Sequence, residues 1–276
     1  MTVANDVDGS VSGAGLRLLL LHGMDGTGAV WDGVIGQLHG PGLTTKLSTT
    51  LTTTLTTTLT TLAPDLAGHG RGPRLAHYSL DALAKDLLER FPELGRGEGR
   101  WVIVGHSLGG AVGLTLAARH PELNWAQVIA AGCKTVWTDE DIAMMARVSA
   151  RPPQIFDSED EARHRFLRVS GLDGLLAPEA AGSGVTRHEQ GWRLAVDPPV
   201  HGVAGGDFAA LLAKVAVPLV LVTGEQDPMA PPADLARFDR PVRVVPGMGH
   251  SLHVQDPAGF AQLIAVLLQR PDQGEG

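Results

Sequence analysis

Cysteine is nearly absent from this sequence, since Cys133 is the single one among 276 residues. One thiol excludes an intramolecular disulfide, and we expect the reducing environment of the cytoplasm. An excess of positive charge is lacking too, because the formal net charge is −8. An acidic chain gains nothing from a phosphate backbone, so nucleic acid is not an expected partner.

Long hydrophobic runs are missing as well. The run Leu18 to Leu21 is far too short to span a bilayer, and the polar residues 1–15 hold no basic segment followed by an apolar one. We therefore expect no secretory signal and no membrane partner. No histidines and carboxylates have the spacing of metal ligands and no phosphate-cradling loop occurs, so we expect neither a metal nor a cofactor. The sequence gives no indication of the oligomeric state.

Hydrophobic residues make up 43 % of the chain, enough for one large domain with a substantial core. Short apolar runs alternate with segments whose apolar residues repeat at helical spacing. The runs predict strands that are buried on both faces, and the alternation predicts a mostly parallel central sheet flanked by helices, an α/β fold. The predicted strands are 17–21, 101–104, 127–131, 218–223 and 242–245, and the predicted helices are 29–38, 79–88, 108–119 and 257–269.

One long segment, residues 134–213, breaks this alternation. It holds charged, helical-looking pieces and a hairpin-like stretch around Trp192. We interpret it as a cap inserted over the sheet, with the core formed by residues 1–133 and 214–276. A longer run of ordinary sheet-covering helices is the alternative.

A second interruption, residues 43–62, is of low complexity and repeats the unit Leu-Thr-Thr-Thr. Leucines four residues apart would share a helical face, but threonine is a poor helix former. We expect an irregular insertion without a catalytic role, whose end supplies the strand before Asp65.

The strongest chemical motif is Gly105-His106-Ser107-Leu108-Gly109, between a predicted strand and a predicted helix. It matches the G-x-S-x-G turn, in which a strained backbone pushes the serine hydroxyl into the open. The N-terminal amides of the following helix can stabilise a developing oxyanion. Ser107 is therefore the candidate nucleophile.

A serine hydroxyl needs a base within hydrogen-bond reach. Among eleven histidines, His250 is favoured because it lies in the glycine-flanked loop Gly247 to His250 after the last predicted strand. His253 lacks that glycine setting. His106 adjoins the serine, and adjacent side chains at a strand end point away from each other.

The base in turn needs a carboxylate that fixes its tautomer. Asp227 follows the predicted strand 218–223, so the chain order is Ser, Asp, His. Glu225 is the rival carboxylate, and Asp139 is a more distant one.

A glycine-containing turn, His22 to Gly26, follows the first predicted strand. Such a turn can aim a backbone N–H at the oxyanion. The amides of Met24 and Leu108 are the predicted pair of donors.

Together these motifs resemble the α/β-hydrolase superfamily, in its lidded, serine esterase-like branch. The resemblance covers about residues 16–269. It implies the triad and oxyanion roles given above, a helical cap, and eight mostly parallel strands. The matching pieces, in the family's order, are His22-Gly23, Asp65 to Gly70, Gly105 to Gly110, Gly224 to Asp227 and Gly247 to His250.

The chain also departs from the family's pattern. Only about fifteen polar residues precede the first predicted strand, so we expect the family's first hairpin to be missing or degenerate. The Leu/Thr tract is not a family feature. Serine at position 107 disfavours the aspartate-nucleophile members, the dehalogenases and epoxide hydrolases. His69 is expected to be structural, and Cys133 an inert small hydrophobe.

These residues predict a serine hydrolase that cleaves a small-to-medium apolar carboxylic ester, thioester or lactone through an acyl-enzyme. The partner expected is a small acyl substrate. Carbon–carbon bond hydrolases and cofactor-free haloperoxidases or perhydrolases share the triad and remain alternatives, as does a hydrolase-fold binding protein. The candidate pocket side chains are Trp137, Met144, Met145, Phe156, Phe166, Trp192 and Met229.

Overall fold

The computed structural model describes residues 16–40, 59–95 and 99–269. The strands, in chain order, are β1 Leu16–Leu21, β2 Thr60–Leu62, β3 Arg100–His106, β4 Trp125–Ala131, β5 Val185–His188, β6 Gly191–Leu194, β7 Leu219–Gly224 and β8 Val242–Val245. The α-helices are α1 Asp32–Leu38, α2 Leu80–Arg90, α3 Leu108–Arg119, α4 Asp139–Ser149, α5 Glu159–Val169, α6 Phe208–Ala213, α7 Pro232–Leu235, α8 Leu252–Gln255 and α9 Pro257–Gln269. The 3₁₀ segments are Gly28–Trp31, Pro92–Leu94, Pro178–Gly184 and Pro198–Val203.

The central sheet has the strand order β2–β1–β3–β4–β7–β8, and every pairing is parallel. The predicted α/β class is thereby confirmed. The described residues contribute six strands to this sheet, whereas the resemblance implied eight. The expected loss of the first hairpin concerns residues 1–15, which lie outside the described residues.

Helices cover both faces of the sheet, which explains why its inner strands are continuously apolar. Alternate residues of β1 point to opposite sides: Leu19 and Leu21 join one hydrophobic cluster, and Leu18 and Leu20 the other. The first cluster includes buried residues of α2, α3 and α6, and the second includes those of α1 and α9. The carboxyl ends of the parallel strands therefore meet at one edge, where ligands bind in such sheets.

Most predicted elements lie where the apolar pattern placed them, and α3, β8 and α9 have the predicted bounds. The segment predicted as one helix over 29–38 divides into a 3₁₀ turn, Gly28–Trp31, and α1. Residues 41–58, which form most of the Leu/Thr tract, lie outside the described residues. Its end does supply a strand, β2, which pairs with β1 at the edge of the sheet.

The segment between β4 and β7 contains α4, α5, the hairpin of β5 and β6, and α6. The predicted hairpin around Trp192 is confirmed, with Arg187 opposite Trp192. Phe156, Ala162, Phe166 and other residues of this segment form a small hydrophobic cluster that also includes Val254 of α8.

Candidate active site

The turn between β3 and α3 carries Ser107. Its backbone has φ 51° and ψ −116°, a combination that residues other than glycine rarely adopt. The Ser107 amide donates to the Ala131 carbonyl at 2.8 Å, which fastens the turn to the end of β4. The buried strand and helix on either side hold the strain, and the serine is partly exposed. The strand–turn–helix setting predicted for Ser107 is confirmed.

Close packing explains the glycines on both sides of this serine. A Cβ on Gly105 would lie 2.3 Å from the Gly109 carbonyl oxygen, and a Cβ on Gly109 would lie 2.2 Å from the Leu21 carbonyl oxygen. These are backbone atoms of a helix and a strand, so they cannot move without displacing the whole element. The turn therefore sits directly against the end of β1.

Gly109→Ala is expected to lower the free energy of unfolding by about 1–3 kcal/mol, because the added methyl group displaces the backbone of β1. Gly36→Ala, in the exposed part of α1, is the matched control, since a Cβ there meets nothing within 4 Å. It is expected to raise stability by about 0.5–1 kcal/mol. Urea unfolding measures both variants, and equal stabilities would contradict this packing.

The loop between β8 and α8 places His250 against Asp227. His250 Nδ1 lies 2.9 Å from Asp227 Oδ2 and 3.1 Å from Oδ1. The Asp227 side chain is fully buried, and that of His250 is 20 % exposed. The carboxylate accepts a hydrogen bond from Nδ1–H, which leaves Nε2 free to act as an acceptor.

Further hydrogen bonds keep Asp227 ionised. Its Oδ1 accepts from the amides of Met229 at 2.8 Å and Ala230 at 3.1 Å. Burial works to raise the pKa of Asp227, but the hydrogen bond and charge of His250, with those two amides, outweigh it, so the pKa lies below its ordinary value. An ionised carboxylate is what an orienting acid requires.

The rival carboxylate, Glu225, binds the backbone of the histidine loop. It is exposed, and its Oε2 accepts from the Gly247 amide at 2.9 Å. The Gln226 amide donates to the Met248 carbonyl at 2.9 Å, so two bonds hold the histidine loop beside the end of β7. Asp139, the more distant rival, starts α4 in the 134–213 segment and is exposed.

Ser107 follows β3 and His250 follows β8, so both lie at the carboxyl edge of the sheet. A Cβ on Gly23 would lie 3.3 Å from Ser107 Cβ, and a Cβ on Gly132 would lie 3.3 Å from His250 Cε1. Among the described residues, no hydrogen bond joins Ser107 Oγ to His250 Nε2. Such contacts are often long before substrate binds and tighten in the reacting complex.

Two other histidines pack beside His250, and sequence reasoning missed what they do. His106 Nε2 lies 3.0 Å from the His250 carbonyl oxygen and donates to it, and the two rings lie 4.7 Å apart. Burial first, and then the neighbouring rings of His253 and His250, hold the pKa of His106 well below its ordinary value. Burial likewise lowers the pKa of His253 to about 3. Both rings are therefore neutral near pH 7, and they are weaker bases than an ordinary histidine.

The turn after β1 is closed by the Gly26 amide, which donates to the Gly23 carbonyl at 3.1 Å. His22 locks this turn from within the core: its Nδ1 donates to the Gly23 carbonyl at 2.8 Å, and its Nε2 accepts from the Leu66 amide at 2.9 Å. Within the described residues, the amides of Met24 and Leu108 donate to no acceptor. Both remain available to a ligand.

His69 and the turn that carries it are built into the scaffold. Asp65 accepts from the Gly28 amide at 2.7 Å, the Arg71 amide at 2.8 Å and the Ser183 hydroxyl at 2.9 Å. The His69 ring is buried and packs edge-on against His22, with centroids 5.1 Å apart. These contacts agree with the structural role predicted for His69.

Cys133 contacts the turn that carries Ser107. Its Sγ donates to the Ser107 carbonyl at 3.3 Å, and burial raises the pKa of the thiol to about 12. The thiol is therefore protonated at neutral pH, which agrees with the inert role expected for it.

The residues predicted to line a pocket have different surroundings in the structure. Phe156, Phe166 and Trp192 belong to the hydrophobic cluster of the 134–213 segment. The other predicted residues join none of the three hydrophobic clusters of the described chain; these are Trp137, Met144, Met145 and Met229. Met144 and Met229 are exposed. As a substrate pocket the set stays a prediction.

The described residues include neither a cluster suited to a metal ion nor a helix suited to a membrane. No group of three or more histidine, cysteine, aspartate and glutamate residues there is arranged to hold a metal ion. None of the described helices combines the length and the apolar character needed to cross a bilayer.

A family model described as the alpha/beta hydrolase family matches residues 18–263, nearly the whole chain. The chain belongs to the alpha/beta hydrolase family.

Within this family the chain is similar to a pimeloyl-[acyl-carrier protein] methyl ester esterase of Neisseria meningitidis serogroup B, at 29 % identity over 182 residues. That match covers 62 % of this chain. The chain spans 65 %, just under two thirds, of the esterase's own length. It is also similar to the 2-(acetamidomethylene)succinate hydrolase of Mesorhizobium japonicum, at 27 % identity over 89 % of this chain and 85 % of that protein.

Solved structures of alpha/beta hydrolases share the fold. A crystal structure of E-2-(acetamidomethylene)succinate hydrolase superimposes with a TM-score of 0.71 at 25 % identity, covering 92 % of each chain. The thioesterase domain from the curacin biosynthetic pathway gives a TM-score of 0.68 at 22 % identity, again covering 92 % of each chain. The second likeness concerns the fold alone.

Proposed function

We propose that this alpha/beta hydrolase is a serine hydrolase that cleaves a small-to-medium apolar carboxylic ester, thioester or lactone through an acyl-enzyme. The observation that carries the proposal is that a strained, partly exposed Ser107 and an Asp227-oriented His250 lie at the same edge of the sheet, where His106, the neighbour of Ser107, bonds the His250 carbonyl. The relatives named as esterases and hydrolases support the reaction class.

In the proposed mechanism Ser107 Oγ attacks the carbonyl carbon while His250 Nε2 takes the hydroxyl proton. Asp227 stabilises the imidazolium that forms. The imidazolium then gives the proton to the leaving group, and the acyl-enzyme results. Water that has lost a proton to His250 releases the acyl group and restores the hydroxyl of Ser107.

The oxyanion of each tetrahedral intermediate is proposed to bind the amides of Met24 and Leu108. Both amides lack an acceptor within the described residues, and the turn that carries Met24 contacts the nucleophile turn through Gly23 and Ser107. Losing one such donor costs about 2.7–4 kcal/mol of barrier.

Residues 134–213 are proposed to form the cap, with 1–133 and 214–276 as the core. Two contacts between this segment and loops of the core support the proposal: the Gly70 amide donates to the Ala195 carbonyl at 2.7 Å, and Tyr78 Oη donates to Asp197 at 2.6 Å. The last helix of the segment, α6, packs through Phe208 and Leu212 into the sheet's own hydrophobic cluster. This end of the proposed cap therefore also packs against the core.

A fluorophosphonate probe tests the nucleophile. It is expected to label the protein once, at Ser107, because the probe's phosphorus traps an activated serine. Peptide mapping identifies the site. Labelling that survives Ser107→Ala would contradict the assignment, and the protonated, buried Cys133 is not expected to react.

Turnover separates an enzyme from a binding protein. Many turnovers of a p-nitrophenyl ester are expected, and a panel of esters of different acyl length, lactones and thioesters then ranks the substrates by kcat/KM. A single stoichiometric burst without turnover would favour the binding protein. Activity restricted to a carbon–carbon bond or to peroxide-dependent chemistry would favour the alternatives with the same triad.

A further inference from the structure

Asp25 shares with Ser107 an unusual backbone. Among the described residues these two are the only non-glycine residues with positive φ, at 60° and 51°. Each directly adjoins a proposed oxyanion donor, since Asp25 follows Met24 and Ser107 precedes Leu108. Ser107 belongs to the turn between β3 and α3, and Asp25 belongs to the turn after β1 that the Gly26 amide closes.

Asp25 forms an ion pair with His201, which lies 176 residues away in the 3₁₀ segment Pro198–Val203. His201 Nε2 lies 3.0 Å and 3.2 Å from the two carboxylate oxygens of Asp25. His201 Nδ1 lies 2.9 Å from the Pro198 carbonyl oxygen. Both nitrogens face acceptors, so both must carry protons, and the ring is an imidazolium.

The pair is shielded from solvent, since the side chains of His201 and Asp25 are 7 % and 15 % exposed. Among the described residues, the charges of His201 and Asp25 also act on the rings of His69 and His22, whose pKa values burial lowers. From α4, which packs on the same segment, Ser149 donates to the Pro199 carbonyl at 3.5 Å. A lone charge left at this site would be uncompensated, which makes the pair act as a unit.

We propose that Asp25 and His201 are positioning residues for the oxyanion hole: their ion pair holds the turn Gly23 to Gly26 in the conformation that presents the Met24 amide, and ties that turn to the proposed cap. This inference rests on the proposed function. It requires no contact between either side chain and the substrate.

The Asp25–His201 ion pair can exist only below an alkaline pH limit. Burial works to lower the pKa of His201, but the hydrogen bond and charge of Asp25 outweigh it, so the pKa is raised above its ordinary value. The pair is therefore complete below the ordinary value and is lost as the pH rises through the raised value. A neutral imidazole has one N–H, so it cannot serve both the Pro198 carbonyl and Asp25.

Three substitutions of Asp25 separate the backbone from the charge. Asp25→Ala loses the pair and puts a Cβ-bearing residue without side-chain support at positive φ, so kcat is expected to fall about 10–100-fold with little change in KM. Asp25→Gly loses the pair but adopts positive φ freely, so its kcat is expected to lie above that of Asp25→Ala. Asp25→Asn tolerates positive φ, and its amide can donate to the bare Nε2 of a neutral His201.

The pH profile is the deciding measurement. The kcat of the unmodified protein is expected to fall on the alkaline side, and that of Asp25→Asn to show no such fall. Asp81→Asn is the matched control, because Asp81 forms an exposed pair with Arg119 on α2 and α3; it is expected to keep the alkaline fall. A p-nitrophenyl ester serves as substrate from about pH 6 to about pH 10, with rates corrected for spontaneous hydrolysis.

The inference is overturned if Asp25→Ala and Asp25→Gly both retain unmodified kcat, or if Asp25→Asn keeps the alkaline fall. It is equally overturned if the variants lose only thermal stability while kcat stays unchanged below their Tm. Failure of the proposed function looks different. In that case the fluorophosphonate probe does not label Ser107 in the unmodified protein.

Discussion

Ser107→Ala is expected to lower kcat/KM for ester hydrolysis by about 10⁴–10⁶-fold, since it removes the atom proposed to form the acyl-enzyme. His250→Ala is expected to cost about as much, because the neighbouring rings of His106 and His253 are buried and their strongly lowered pKa values make them weak bases. The double variant is expected to be no slower than either single one, because the two residues act as a unit.

The controls use the same substitutions away from the site. Ser170→Ala removes a hydroxyl that donates to the Phe166 carbonyl at the end of α5, and His120→Ala removes a surface ring beside Glu122. Both are expected to leave kcat/KM within about twofold. Steady-state rates on one p-nitrophenyl ester compare all the variants. A Ser107→Ala protein with more than about one per cent of the activity would contradict the nucleophile assignment.

Asp227→Asn is expected to lower kcat by about 10⁴-fold with little change in KM. The Asp227 carboxylate accepts a hydrogen bond from His250 Nδ1–H, with 2.9 Å between Nδ1 and Oδ2. An asparagine amide can instead donate its N–H to Nδ1. It then stabilises the tautomer whose Nε2 already carries a proton. That tautomer cannot take the proton of Ser107. The fall is thus expected in the chemical step.

Glu225→Gln is the matched control for this change. Glu225 accepts from the Gly247 amide at 2.9 Å, and the carbonyl oxygen of glutamine can accept the same bond. Its kcat/KM is expected to stay within a few fold. A silent Asp227→Asn together with a damaging Glu225→Gln would transfer the orienting role to Glu225.

The fold was largely predictable from local patterns. The apolar run 101–104 and the small-residue helix 108–119 require burial on both sides, and the glycines of the nucleophile turn permit a close approach that other residues forbid. Here Gly105 and Gly109 have backbone oxygens within 2.3 Å of where their Cβ would lie. Such constraints act between neighbours in the chain, so a single sequence displays them.

The pocket was not predictable in the same way. Aromatic and methionine side chains in the 134–213 segment were grouped by type alone, and type does not distinguish a residue that lines a pocket from one that packs in a core. Phe156 and Phe166 are buried in the segment's hydrophobic cluster, while Met144 is exposed. Which faces meet depends on how the helices pack, and that information is not local.

The sequence by itself thus determined the parallel α/β architecture and the candidates Ser107, Asp227 and His250, because strand periodicity, turn glycines and motif order are properties of short stretches. Only the tertiary structure decided which carboxylate meets His250, since Asp227 and Glu225 leave the same strand two residues apart. It also revealed the His106 bond to the His250 carbonyl, across 144 residues, and the Asp25–His201 pair, across 176. Contacts at such separations depend on where the packed sheet brings its loops together, which no local pattern encodes.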